Sequence, residues 1–228
     1  MPKIFMVEPE WWFDFLLAIA ELWEKYPWVG NFYPIGADIF VFVYPVFLTA
    51  LYLYGMVKKN RESKKVALFI FFACFFSVVV NILSQQFFDK QRPIHELGIV
   101  DVDQETLLHH LLPLTSFPSD HAVVTFSIAM ATWLISHKYR KMHLKIWSFF
   151  LFVFAILTGI CRIGTKVHWT TDILAWAIMG LLVPVVLVIP FFYKRIERIW
   201  NGKRRWQNCS CYFGRKGQPI IIKTLSRT

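Results

Sequence analysis

VALFIFFACFFSVVVNILSQQFF, residues 66–88, runs without a charged side chain. About 20 apolar helical residues, at 1.5 Å each, cross a hydrocarbon core of roughly 30 Å. The stretch therefore predicts a membrane span over Val66–Phe88. Working outward, similar runs predict four more spans: Gly36–Val57, kinked at Pro45; His121–Ser136; Ile146–Ile163; and Asp172–Tyr193, kinked at Pro184 and Pro190. The whole chain is 56% hydrophobic, above the 45–50% usual for a soluble domain. Residues 9–27 are rich in Trp and Leu, but Glu10, Asp14, Glu21 and Glu24 interrupt them at roughly helical spacing. That segment reads as an amphipathic helix lying in the membrane interface. The expected fold is all-α: a polytopic membrane helical bundle of about five transmembrane helices plus this N-terminal helix. Residues 1–200 form the membrane domain and 201–228 a basic tail.

The net charge of +10 sits in the loops. Nineteen of the Lys and Arg residues fall in turns 58–65 and 137–145 and in residues 194–228, and six fall on the opposite side. By the positive-inside rule the turns and tail are cytoplasmic and the N-terminal helix and loop 89–117 face outward. The basic segments are span flanks, which excludes a soluble nucleic-acid binder. Cys74, Cys161, Cys209 and Cys211 have no disulfide or metal spacing.

Three short motifs converge on the cation-poor boundary: Arg92-Pro93, Pro118-Ser119-Asp120-His121, and Arg162 followed by His168 and Asp172. Guanidinium groups bind phosphate bidentately and keep their charge. A helix start at Ser119 offers free N–H groups and a hydroxyl to an anion, and places His121 to protonate a leaving oxygen. His168 and Asp172, four apart, share a helix face, where a carboxylate on one ring nitrogen would raise the basicity of the other. That suits His168 as a nucleophile toward phosphorus. Lys90 and Lys166 are possible helpers. Each motif alone also fits a blander reading: a helix cap, a surface histidine, or an arginine at a span end. His95, His109 and His110 share the polar loop with acidic residues, but their irregular spacing favours a solvated loop over a metal site.

Together the motifs resemble the type 2 phosphatidic acid phosphatase superfamily, whose ordered patterns are Lys-x6-Arg-Pro, Pro-Ser-Gly-His and Ser-Arg-x5-His-x3-Asp. The likeness covers about residues 85–172. It implies a helical bundle and metal-independent hydrolysis of a phosphomonoester or diphosphate through a phosphohistidine, with no cofactor. On that carry-over His168 is the nucleophile, Asp172 orients it and His121 is the acid. Arg92, Ser119 and Arg162 hold the phosphate. This chain departs from the pattern at Gln85, Asp120 and Cys161, where the family has Lys, Gly and Ser. Gln85 and Asp120 line the phosphate site, with Lys90 and Lys166 as substitutes for the missing cation.

Within the family the chain looks like bacterial undecaprenyl-diphosphate phosphatases acting at the outer face of the inner membrane. Alternatives are transfer of phosphate from undecaprenyl diphosphate to lipid A, and hydrolysis of lipid A, phosphatidylglycerophosphate or phosphatidate. The implied partners are a lipid phosphate or isoprenoid diphosphate substrate and the surrounding lipids. The sequence leaves the oligomeric state open.

Overall fold

The computed structural model describes residues 4–5, 9–96, 116–189 and 194. The fold is all-α. One compact unit runs from Met1 to Leu187. Nearly all of the tail lies outside the described residues, as does the expected boundary near residue 200.

The chain enters through α1, Glu10–Lys25. Its Leu16 and Ile19 are buried while Phe15, Leu17 and Leu22 are exposed, so the helix is two-faced as expected. Next come α2 (Pro27–Ile39), a 3-10 turn at Phe40–Phe42, and α3 (Val43–Val57). Residues 27–57 together make one apolar run long enough to cross a membrane. The break falls just before Pro45. Proline has no N–H to give to Val41, and its ring crowds that carbonyl. The first span thus begins earlier than the expected Gly36, and its kink precedes the proline.

α4 spans Arg61–Gln85 and starts inside the basic turn. Asn60 caps it, its side-chain oxygen accepting from the N–H groups of Glu62 (3.0 Å) and Ser63 (3.2 Å). Beyond α4, Phe88–Asp89 (β2) pair in parallel with Ile4–Phe5 (β1). A short α5, Pro93–Glu96, follows. The remaining helices are α6 (Asp120–Lys138), α7 (Met142–Gly164) and α8 (Thr170–Val188). Residues 27–57, α4, α7 and α8 are long and apolar enough to cross a bilayer. α6, the fifth expected span, has 19 residues but carries more polar groups, because it is an inner helix packed on α4 and α7. Its buried Thr125, Thr132 and Ser136 hydroxyls donate to carbonyls of their own helix, so they need no outside partner. α8 packs on α6 at Gly180, where a Cβ would crowd the Val123 carbonyl and Phe126. The outer helix faces expose Phe71, Phe72, Phe75, Phe76, Phe149 and Phe150, which suits hydrocarbon and not water. This is an integral membrane protein.

The ends of the bundle differ in charge. Lys59 and Arg140 take left-handed backbone at the two basic turns. Lys141 of one turn pairs with Glu62 of the other at 2.8 Å, so both lie at one end.

At the opposite end Tyr33 of α2 lies on Gly164 of α7 and donates its hydroxyl hydrogen to the Ile19 carbonyl of α1 (3.3 Å). A Cβ on Gly164 would overlap the Tyr33 ring, which is buried and cannot swing away. Gly164→Val should therefore destabilise the fold by about 1–3 kcal/mol. Thermal unfolding in detergent should show the midpoint lowered by roughly 3–9 °C. An unchanged midpoint would mean that this contact does not bear on stability.

Candidate functional site

Three loops meet at the end away from the basic turns, and backbone bonds lace them together. Ser116 N donates to the Lys90 carbonyl (2.8 Å), and Ile94 N to the Lys166 carbonyl (3.1 Å). The indole N–H of Trp169 donates to the Gln91 carbonyl (2.8 Å). Trp169 is fully buried, with Phe13 of α1 edge-on at 4.9 Å. The first, second and third sequence motifs are brought to one place by this zipper.

His168 sits at its centre, 3% exposed. Its Nδ1 lies 2.6 Å from the Ser116 carbonyl oxygen. A carbonyl only accepts, so Nδ1 carries the hydrogen and Nε2 keeps a lone pair. Nε2 is 3.1 Å from Nη2 of Arg162, which donates to it. Burial, with Arg162 close by, holds the His168 imidazole down to about 4.

Asp172 was expected to bond the ring directly. Its Oδ2 instead stands 3.8 Å from Nδ1 and accepts from the backbone N–H of Trp169 at 3.0 Å. That is half of a capping box at the start of α8. Its Oδ1 accepts from Lys90 at 2.8 Å. Asp172 thus fixes the backbone on which His168 sits, and the carbonyl of Ser116 sets the tautomer. Lys90 also donates to Thr171 Oγ1 (2.7 Å), so it neutralises Asp172 and does not take up the role of the missing motif cation. Lys166 holds a left-handed turn, its side chain buried.

Both arginines are buried and restrained. Arg92 Nη1 donates to the Val167 carbonyl (3.0 Å). Burial lowers the guanidinium to about 10, opposed by Asp172 and Asp120, so it stays charged at neutral pH. Arg162 Nη1 donates to the Ala37 carbonyl (3.3 Å) and lies 3.7 Å from Asp38. Its Nε has no hydrogen-bond partner among the described residues. Neither has the fully buried Ser119 hydroxyl, although Ser119 occupies the N-cap of α6. Buried donors are almost always satisfied, so these two keep hydrogen-bonding capacity that the described residues leave unused. His121 is the second residue of α6, near enough to Arg162, His168 and Arg92 to feel their charge.

Two of the three departures from the family pattern, Gln85 and Asp120, touch each other. Gln85 Nε2 donates to Asp120 Oδ1 at 3.1 Å, and Asn81 Nδ2 donates to the same oxygen. Sequence reasoning missed Asn81 and Asp38. Both are polar groups inside apolar runs, and that was the available signal. The Ser116 carbonyl gave no signal, since any residue supplies one. Among the described residues no group of three or more His, Cys, Asp or Glu gathers as metal ligands. His109 and His110 lie outside them, as does the side chain of His95.

The PAP2 superfamily pattern matches residues 66–196. A protein of Escherichia coli (strain K12) named "Putative undecaprenyl-diphosphatase YbjG" is 28% identical over 161 residues, 70% of this chain and 72% of that one. Undecaprenyl-diphosphatase BcrC of Bacillus subtilis (strain 168) is 28% identical over 152 residues, 67% of each chain. The crystal structure of Aquifex aeolicus LpxE shares the fold, with a TM-score of 0.52 and 24% identity over 76% of this chain and 92% of that one.

The depressed His168 value has a sign that can be checked. An unfolded imidazole titrates near 6.5. Between that value and about 4 the unfolded chain binds the extra proton, so the stability contributed by His168 is full above pH 6.5 and is lost as pH falls toward 4. Nitrogen-15 NMR of labelled histidines in detergent, assigned with His168→Gln, should give a midpoint near 4. A midpoint near 6.5 would mean that the ring is solvated.

Proposed function

The chain belongs to the PAP2 superfamily, and from that premise we propose that it is a membrane-embedded lipid phosphatase. We take its substrate to be a polyprenyl diphosphate such as undecaprenyl diphosphate, hydrolysed to the monophosphate. The observation that carries this reading is the unprotonated Nε2 of His168, which accepts a hydrogen bond from Arg162 while Nδ1 is tied to the Ser116 carbonyl. The names of the YbjG and BcrC relatives support the substrate class.

The terminal phosphoryl enters between the Arg162 and Arg92 guanidiniums and the Ser119 hydroxyl. It takes over the Arg162 hydrogen that now rests on Nε2. Nε2 attacks phosphorus, and the bond to the bridging oxygen breaks. His121 gives that oxygen a proton, releasing the lipid monophosphate. Charge in the transition state spreads over the phosphoryl oxygens, where fixed cations and N–H groups act most strongly. The positive charge developing on the imidazole is stabilised through Nδ1–H to Ser116 and by Asp172 at 3.8 Å. Water then attacks the phosphohistidine, His121 takes its proton back, and phosphate leaves. No step calls for a metal.

The bacterial relatives support a location in a bacterial inner membrane, and loop charge supports cytoplasmic basic turns and tail with the site facing outward. Phosphate release from undecaprenyl diphosphate should proceed in detergent with chelator present. It should fall by a factor on the order of 10³ or more in His168→Ala. Labelled phosphate should be trapped on the protein by acid quench. Label that passes to added lipid A without free phosphate would replace hydrolysis with transfer. Unimpaired turnover in His168→Ala would refute the covalent route.

A further inference from the structure

Asp120 is a carboxylate at a site built for anions. It lies within electrostatic reach of both Arg92 and Arg162, yet among the described residues no ion pair joins it to either. Opposite charges at such range would close up if they were free to move. Here each is held back. Asn81 and Gln85, both neutral amides of α4, grip Oδ1 of Asp120. The Val167 carbonyl holds Arg92, and Ala37, Asp38 and His168 hold Arg162. Asp120 is exposed, and its hydrogen bonds among the described residues all go to Oδ1. Next to it stands the Ser119 hydroxyl, buried and without a partner.

A bare carboxylate only accepts hydrogen bonds. Facing a fully ionised phosphoryl group it repels, whereas facing one that carries a hydrogen it bonds. We propose that Asp120 is a specificity-determining residue that makes this site select a hydrogen-bearing phosphoryl group, bound with its oxygens on Arg92, Arg162 and Ser119 and its hydroxyl hydrogen on Asp120 Oδ2. Gln85 and Asn81 are the positioning residues that keep that carboxylate open. The pairing also accounts for two departures at once. A lysine at position 85 would form an ion pair with Asp120 and cancel its effect, and glutamine does not. The inference rests on the phosphatase reading for its site, and it deepens that reading by naming the ionisation state of the ligand.

Inorganic phosphate and sulfate discriminate the case, since at neutral pH the first keeps a hydrogen and the second has none. Binding of each to the whole chain in detergent is read by calorimetry, so turnover is not needed. The wild type should bind phosphate at least about 10-fold more tightly than sulfate, as expected for a hydrogen bond to a charged group. Asp120→Asn keeps an oxygen for Asn81 and Gln85 and should bring the two ligands within about 3-fold. Asp120→Gly, which restores the family residue, should do the same by a different change. Equal binding of phosphate and sulfate by the wild type would overturn the proposal, as would a ratio untouched in both variants. Failure to bind either anion would remove the phosphatase reading as well, while phosphate binding without selectivity would leave that reading standing.

Discussion

The pairing of Lys90 with Asp172, both buried, is the contact on which the outer end of the bundle depends. At 2.8 Å it joins the loop after α4 to the first turn of α8. Breaking such a pair from one side strands a charge in low dielectric, which costs about 3–5 kcal/mol. The same carboxylate takes the Trp169 N–H, so one residue sets where α8 begins and hence where His168 stands. Trp169 then fills the space beneath the loops, and its indole N–H closes back on Gln91. His168 is thus positioned by an ion pair and a buried aromatic ring.

Much of this was legible in the sequence. The apolar runs gave helices in the expected places because a span must satisfy its backbone internally and show hydrocarbon to lipid. The segregation of Lys and Arg appears in three dimensions as two turns at one end, linked through Glu62 and Lys141. Element ends were less legible. α4 starts five residues before Val66 because Asn60 caps it, and the first kink sits at Phe40–Phe42 because Pro45 acts on the preceding turn.

The sequence motifs do meet at one end of the bundle, but the way their side chains bond was not legible. The four-residue spacing of His168 and Asp172 correctly puts them together. Spacing does not tell which of several partners a carboxylate takes, and Lys90 and Trp169 compete successfully for both oxygens. Nor does it reveal a backbone acceptor such as Ser116. Gln85 and Asp120 looked like two separate losses against the family pattern, while in the fold they form one contact between α4 and α6. Residues read singly along a chain hide that kind of compensation.

Asp38 carries a consequence for how the protein is made. It lies in the first span, and the guanidinium it faces belongs to α7, with α4 and α6 still to be synthesised between them. A lone carboxylate near the middle of an inserting helix is opposed by roughly 2.5–3.5 kcal/mol on insertion scales. Asp38 stands at the end of α2, directly before the 3-10 turn, and is buried in the finished fold. Asp38 can meet Arg162 only once α7 has been made, so this contact between the first span and a much later one forms late in synthesis.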